Sequence, residues 1–139
     1  MATYTKFQDF VEQVGLKEHN LNTDTFKVAL TNTLPVATQT TFDAVTNHAA
    51  PAAANGYTAG GEDIQNVWSE SGGTGTMTAT DVVFTAAGGQ IGPFRYAVIY
   101  NDTNATDMLL AWYDYGSSIT LEDTETFTVD FGASLFTIT

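Results

Sequence analysis

Apolar and polar residues alternate over long stretches of the C-terminal half of the chain, with the period of a half-buried β-strand. Every even position in residues 74–80 is threonine, and every odd position in residues 127–131 is phenylalanine or valine. Threonine is β-branched and uncharged, so it keeps a solvated strand face extended. Both segments are therefore predicted to be strands with one buried face and one polar face.

Further strands, and the turns between them, follow from similar signals. Residues 25–33 predict a strand whose inward face holds Phe26, Val28 and Leu30. Residues 133–139 predict a closing strand, tied into its own sheet or into that of a neighbouring subunit. Turns are predicted where glycine and polar residues cluster, at residues 71–73, 87–89, 101–106, 115–117 and 122–124. Seven or eight antiparallel strands in this rhythm predict an all-β fold, a β-sandwich or jelly roll.

The first 20 residues predict an N-terminal arm with a short helix. Residues 5–15 place four apolar side chains at helical spacing, and Gly15 supplies the stop. The four are Phe7, Phe10, Val11 and Val14. We expect this stripe to pack on its own sheet rather than on a neighbouring subunit, because a single apolar face usually closes the local core.

Residues 34–61 predict a long loop between strands. The segment is rich in alanine, threonine, asparagine and glycine, and we expect at most one helical turn in it, near Phe42. A loop of this length in a compact domain is usually functional or ordered by a partner. It is therefore a candidate contact surface.

Composition favours one domain, residues 1–139, with a strongly acidic surface. The formal charge is −12, and residues 31–139 carry twelve carboxylates but a single basic side chain, Arg95. Such a surface repels phosphate backbones and anionic membranes, so neither nucleic acid nor membrane is expected as a partner. The sequence shows no signal peptide and no apolar run of ~18 residues, which predicts synthesis in a cytoplasm.

Arg95 lies in the apolar run Ile91–Tyr100, where a guanidinium calls for an acidic partner. Strict alternation would place Arg95 on the face opposite Phe94 and Tyr96. We expect a carboxylate from a neighbouring strand or subunit to pair with it, and Asp114 and Asp130 are the first candidates. Arg95 is thus interpreted as a structural residue that links its strand to a neighbouring strand or subunit.

No combination of residues predicts catalysis. His19 and His48 stand apart in polar segments, with no metal-ligand spacing and no nucleophile motif, and we expect surface or capping roles for them. A glycosidase would need an acid pair such as Asp114 with Asp130, but acids on strand faces and turns are mostly solvated charge. The acidic loops lack the calcium-loop spacing. The chain is expected to be non-enzymatic, with no cofactor and no metal.

Four motifs resemble a set of small virion structural proteins of tailed bacteriophages and prophages. They are Gly56–Gly61, Asp81–Thr103, Trp112–Gly116 and Phe127–Phe131. The resemblance runs nearly end to end, and its motifs are structural rather than catalytic. It implies capsid decoration, in which small β-rich proteins bind the major capsid protein in many copies on the outside of the shell. A homo-oligomer, most simply a trimer, is the expected assembly.

Two other roles within the same virion stay open. One is a tail- or fibre-associated module that recognises host glycans through Trp112, Tyr113 and Tyr115, since aromatic rings stack on sugars. The other is a tail-tube or neck component. The residues expected to matter for interfaces or for the joint between strands are Arg95, Asp114, Asp130, Phe7, Phe10, Phe42, Trp112 and Tyr113.

Overall fold

The computed structural model describes residues 2–139, which form a mostly β protein with 43% of residues in strands and 5% in helix. All strand pairs are antiparallel. The elements in chain order are β1 (Thr3–Lys6), α1 (Asp9–Gly15), β2 (Phe26–Thr31), β3 (Glu62–Asp63), β4 (Val67–Ser71), β5 (Thr74–Thr78), β6 (Val82–Thr85), β7 (Ile91–Asn101), β8 (Leu109–Leu121), β9 (Thr126–Val129) and β10 (Phe136–Ile138).

The strands form three sheets. The largest has the order β1-β8-β7-β2-β3, the second has the order β10-β5-β4, and β6 pairs with β9 in the third. The closing strand β10 pairs with β5 of its own chain, with Phe136 opposite Met77. The predicted antiparallel all-β character and the predicted strands over residues 25–33, 74–80 and 126–131 are confirmed.

The inner face of the large sheet packs against the two smaller sheets. Alternate residues of β2 point inward, and Phe26, Val28 and Leu30 are fully buried there, as predicted. They share one apolar cluster with Met77 of β5 and Phe84 of β6. The apolar face of each strand, read from its alternation, therefore builds the main core.

The outer face of the same sheet is covered by the long loop. A second apolar cluster lies on this side, and its buried members are Phe7, Ala29, Tyr96, Val98, Tyr100, Leu109 and Trp112. The loop is fastened by backbone hydrogen bonds, among them Gln8 N–H to Ala37 O at 2.9 Å and Phe42 N–H to Asp107 O at 2.8 Å. Its far end is fixed at Gly61, where φ is +83° and an added Cβ would collide with the carbonyl of Val28. The loop is thus ordered by its own chain.

Two predicted boundaries are wrong. Residues 5 and 6, the first two of the predicted helix, belong to β1 because they pair with Trp112 and Ala111 of β8, and the helix begins only at Asp9. The turn predicted at residues 115–117 lies inside β8, which runs on irregularly to Leu121. Within residues 2–139, no helix has the length and apolar character needed to cross a membrane.

Candidate functional site

Arg95 of β7 and Asp114 of the neighbouring strand β8 form the ion pair that the sequence predicted. Arg95 Nε donates to Asp114 Oδ1 at 2.8 Å, and Nη2 donates to Oδ2 at 3.2 Å. The backbone N–H of Gly116 donates to the same Oδ1. The hydrogen bonds from Arg95, and then from Gly116, lower the pKa of Asp114. The side chain of Arg95 is 37% exposed, so this ion pair links β7 to β8 at the surface rather than in the core.

The predicted orientation of Arg95 is wrong, because β7 does not alternate strictly. The strand is irregular between Phe94 and Tyr96, so Phe94 enters the inner core while Tyr96 lies on the outer face. The Arg95 guanidinium sits over the Tyr96 ring, 5.3 Å from its centroid. Asp114 is opposite Tyr96 in the strand register. The pair therefore lies on the outer face, away from Ala97.

The proposed acid pair does not form. Asp114 projects to the outer face with Arg95, whereas Asp130 follows β9 and lines a cavity beside the inner-face residues Tyr113 and Tyr115. The carboxylates lie on opposite sides of β8, so they cannot flank one bond. Arg95 makes no contact with Asp130 among the described residues. The geometry removes the glycosidase hypothesis in the form that the sequence suggested.

The three aromatics proposed as a glycan platform do not share a surface. Trp112 is only 7% exposed and packs on Phe7 in the outer cluster, with ring centroids 4.6 Å apart. Tyr113 points to the opposite side of β8, into the inner core, with Tyr115 beside it at 6.5 Å. Trp112 and Phe7 are consequently core residues.

Tyr113 and Tyr115 line a cavity with a volume of about 500 Å³. The other lining residues are Ala2, Thr128, Asp130, Phe131 and Gly132. Burial, followed by the charges of Asp130 and Asp81, raises the pKa of Tyr113 to about 12. Burial also raises the pKa of Tyr115. Both phenols are therefore neutral over the physiological range, and the cavity holds one carboxylate, Asp130.

A second cavity, of about 360 Å³, is an apolar groove between α1 and β10. The groove is lined by Lys6, Phe10, Val11, Val14, Gly15, Phe136, Thr137 and Ile138. Phe10 is buried and meets Phe136 edge-on at 5.2 Å, which closes the floor. Val11 is 56% exposed, although the helical spacing predicted a buried stripe. The stripe is thus only partly consumed by the protein's own core.

Two of the four basic residues lie at or beside this groove, and the other two lie elsewhere. Lys27 and Arg95 form ion pairs with Asp102 and Asp114. Lys6 lines the groove and Lys17 lines an adjoining cleft that also contains Ile138, and neither lysine has an ion-pair partner in the described part of the chain. On a chain of charge −12, the two uncompensated cations therefore flank one apolar surface.

The histidines are buried, which corrects the predicted surface roles. His48 accepts a hydrogen bond from the Asp43 N–H at Nδ1, so its Nε2 carries the proton and donates to Gln39 Oε1. Phe42 stacks on His48 at 5.4 Å and on Tyr100 at 4.2 Å. His48 and Phe42 therefore hold the outer loop together.

His19 is buried on the other side of the molecule, between the rings of Phe10 and Phe26. Its Nδ1 accepts from Asn101 Nδ2 at 3.0 Å, while its buried Nε2 has no hydrogen-bond partner among the described residues. Burial lowers the pKa of His19, against the smaller opposing effect of Asp24. The same Asn101 amide also donates to Asp24 Oδ2 at 2.7 Å, so it links the histidine to a carboxylate.

The acidic loops carry structural hydrogen bonds. Asp123 accepts from the Gly88 N–H at 2.8 Å, Glu122 accepts from Gln90, and Glu125 accepts from the Glu122 N–H. No group of three or more metal-ligating side chains occurs within residues 2–139. These carboxylates serve to fix turns.

Two surfaces are consequently the candidates for function, and sequence reasoning named only parts of them. The groove residues Phe136 and Ile138 alternate in the closing strand, and three of the four basic residues lie in the first 30 positions, so both signals were present. The cavity around Asp130 brings together residues from β8, β9 and the N-terminus. No local pattern in the sequence could have shown that these residues lie together in the folded chain.

Comparisons with protein-family models, with curated proteins and with solved structures find no match for this chain. The resemblance to phage virion proteins therefore depends on the residue motifs alone. The function has to be inferred from the two surfaces and from the distribution of charge.

Proposed function

We propose that this chain is a non-enzymatic structural protein of a tailed-phage virion that binds the major capsid protein and stabilises the outer surface of the capsid. It is made in the bacterial cytoplasm and assembles as a homo-oligomer, most simply a trimer. Its three antiparallel sheets are proposed to form a β-sandwich of the jelly-roll kind, a rigid unit suited to repetition on a lattice.

The observation that carries the proposal is the apolar groove between α1 and β10. It leaves Val11 and Ile138 exposed beside the buried ring of Phe10, in one continuous apolar groove. Exposed apolar patches rimmed by polar residues commonly mark protein interfaces. Because many copies act together on a shell, a groove of this size is sufficient even if each contact is weak.

The charge distribution supports attachment at this groove. Lys6 and Lys17 face a partner there, whereas an acidic surface covers the rest of the chain. Placing an anionic protein against packaged DNA would be electrostatically unfavourable, so an outward position is favoured. These observations favour a shell contact through the N-terminal arm over one through the loop of residues 34–61.

The groove is tested by Val11→Asp, with Val83→Asp as the matched control. The two valines are 56% and 55% exposed, and both substitutions add one negative charge, but Val83 lies on β6 away from the groove. We expect Val11→Asp to weaken binding to shells that lack the protein by at least about tenfold, the scale of an interface hot spot, and Val83→Asp to bind normally. Equal binding by the two variants would contradict the proposal.

Electron microscopy of the parent particle tests placement. Density for this chain on the outer shell is the expected result, and density on the tail, neck or fibre would replace decoration with one of the alternatives. Light scattering of the purified protein tests the trimer. The glycan-binding alternative is weakened because Trp112 is buried, so it would have to use other residues.

A further inference from the structure

The cavity around Asp130 has a composition that the decoration role does not require. Three aromatic rings, those of Tyr113, Tyr115 and Phe131, line it together with the carboxylate of Asp130. Phe131 stands 6.1 Å from Tyr113, and the two ring planes are inclined by 57°. Tyr113 and Phe131 are 8% and 3% exposed, so the half-buried ring of Tyr115 supplies most of the aromatic surface that the cavity presents.

The carboxylate of Asp130 is only half used by the protein. Its Oδ1 accepts the Gly132 N–H at 2.7 Å, and no described residue forms an ion pair with it. Asp81 lies close enough to act on Tyr113 and spends one oxygen on the Phe131 N–H at 2.9 Å. The cavity thus carries negative charge without a counter-charge from residues 2–139.

The hydroxyl groups around the cavity are open to solvent. Neither Tyr113 nor Tyr115 makes a side-chain hydrogen bond through its hydroxyl among the described residues, and Thr128 makes none through its own. Neither tyrosine hydroxyl is sealed from solvent, since Tyr4 is the only tyrosine with a fully buried, unpaired oxygen. These hydroxyls are therefore free to bond to water or to a bound molecule, and a few polar groups in a mostly apolar cavity are typical of ligand sites.

We propose that this cavity binds an organic monocation, an alkylammonium or guanidinium group, between the ring of Tyr115 and Asp130. Aromatic faces attract such cations, and the carboxylate supplies the counter-charge. The overall charge of −12 favours cations and disfavours anions at the same place. A metal ion is a poor fit, because a hard cation needs several oxygen ligands and the lining offers a single carboxylate.

The site is tested by titrating the whole protein with tetramethylammonium, N-acetyl-lysine amide and N-acetyl-arginine amide, followed by calorimetry and by NMR of the tyrosine rings. We expect binding in the millimolar range, with shifts of Tyr113 and Tyr115 and weakening as salt is added. Preference for the quaternary probe would indicate a free amine ligand, and preference for the arginine probe would indicate a partner's side chain. Both results support an organic cation.

Asp130→Asn is the decisive variant, and Asp63→Asn is its matched control. Both aspartates are exposed, and both accept an N–H two residues ahead at 2.7 Å, which asparagine can still do. We expect Asp130→Asn to weaken cation binding roughly fivefold without changing the melting temperature, in line with an exposed charge pair. Asp63→Asn should bind like the parent.

Three outcomes would overturn the proposal. They are the absence of binding of any cation at low ionic strength, an equal loss in both aspartate variants, or tighter binding of a neutral sugar than of every cation. The last result would assign the cavity to glycans. None of these depends on shell binding, so the capsid role and the cation site can fail independently.

Discussion

The two faces of the five-stranded sheet are closed in different ways. The inner face is covered by strands of the two smaller sheets, and its side chains meet apolar partners on every side. The outer face is covered by an irregular loop, whose cover depends on the stack of Phe42 with Tyr100 and on the hydrogen bonds of His48. One face is held mainly by apolar burial, and the other by a few aromatic and polar contacts.

The two faces differ in what stabilises them, apolar burial on the inner face and individual hydrogen bonds and stacking contacts on the outer face. Burial against a sheet is spread over many side chains, so it is redundant. The loop offers few large apolar groups, so its backbone must be satisfied one bond at a time, as in the hydrogen bond from Thr31 Oγ1 to Ala49 O at 2.9 Å. We therefore expect the outer cover to open locally at a lower free energy than the inner core.

Phe94→Ala should produce the largest effect. Phe94 is fully buried on the inner side and meets Phe127 edge-on at 4.9 Å, so truncation leaves a cavity in the main core. We expect a loss of about 3–5 kcal/mol in the free energy of unfolding, with the whole fold affected. Urea denaturation would measure it. A loss confined to one loop would show that the inner face is less cooperative than its packing indicates.

Phe42→Ala should act more weakly and locally. The ring is half-buried and stacks nearly parallel on Tyr100, with an interplanar angle of 2°. We expect a loss of about 1–2 kcal/mol and faster hydrogen exchange in residues 34–50, with β2 and β5 unchanged. Val45→Ala is the control, since Val45 is 81% exposed in the same loop and should change stability by less than about 0.5 kcal/mol. Uniformly faster exchange throughout the chain would remove the distinction between the faces.

Mild acid should loosen the outer cover by a smaller amount. Burial lowers the pKa of His48 from its ordinary value of 6.5, with an opposing contribution from Asp43. The unfolded chain therefore takes up the proton first, so this contribution is complete above pH 6.5 and is lost as the pH falls towards the lowered folded pKa. The slope is at most about 1.4 kcal/mol per pH unit for one group. His19 contributes with the same sign from the opposite side.

Thermal melts between pH 7.5 and 5 would measure this dependence. His48→Gln should flatten the slope and leave the part that comes from His19. An unchanged slope in His48→Gln would mean that His48 is protonated in the folded state as readily as in the unfolded one. Exchange of residues 34–50 at pH 5 would then show no local opening.

The sequence predicted the inner face better than the outer face, for physical reasons. Alternation identifies a strand that is buried on one side, which is why Phe26, Val28 and Leu30 were placed correctly. The same rule could not show that Ala29 is also buried, because its cover is a loop without periodicity. The burial of His48 depends on the same loop, and its polar neighbours in the sequence did not indicate that it would be buried.

The candidate site was predicted only in part. The Arg95–Asp114 pair could be predicted because basic residues are scarce, and a single cation in an apolar strand calls for an acidic partner on a neighbouring strand. Its orientation did not follow, because alternation was assumed to continue through an irregular point. The cavity around Asp130 could not be predicted, since its residues come from separate strands and meet only in the folded chain.

The irregularity beside Arg95 also decides which mutations β7 can accept. Side chains before and after it reach their proper faces only because the strand breaks its alternation there, with Phe94 inward and Val98 outward. Replacement of Arg95 leaves the number of residues intact and alters one surface contact. Removal of Arg95 would instead join Phe94 directly to Tyr96 and make the alternation regular, with both halves of the strand still on their present faces. A residue lost between Tyr96 and Asn101 would turn part of the strand over, so natural changes in the length of β7 should fall beside Phe94 rather than further along the strand.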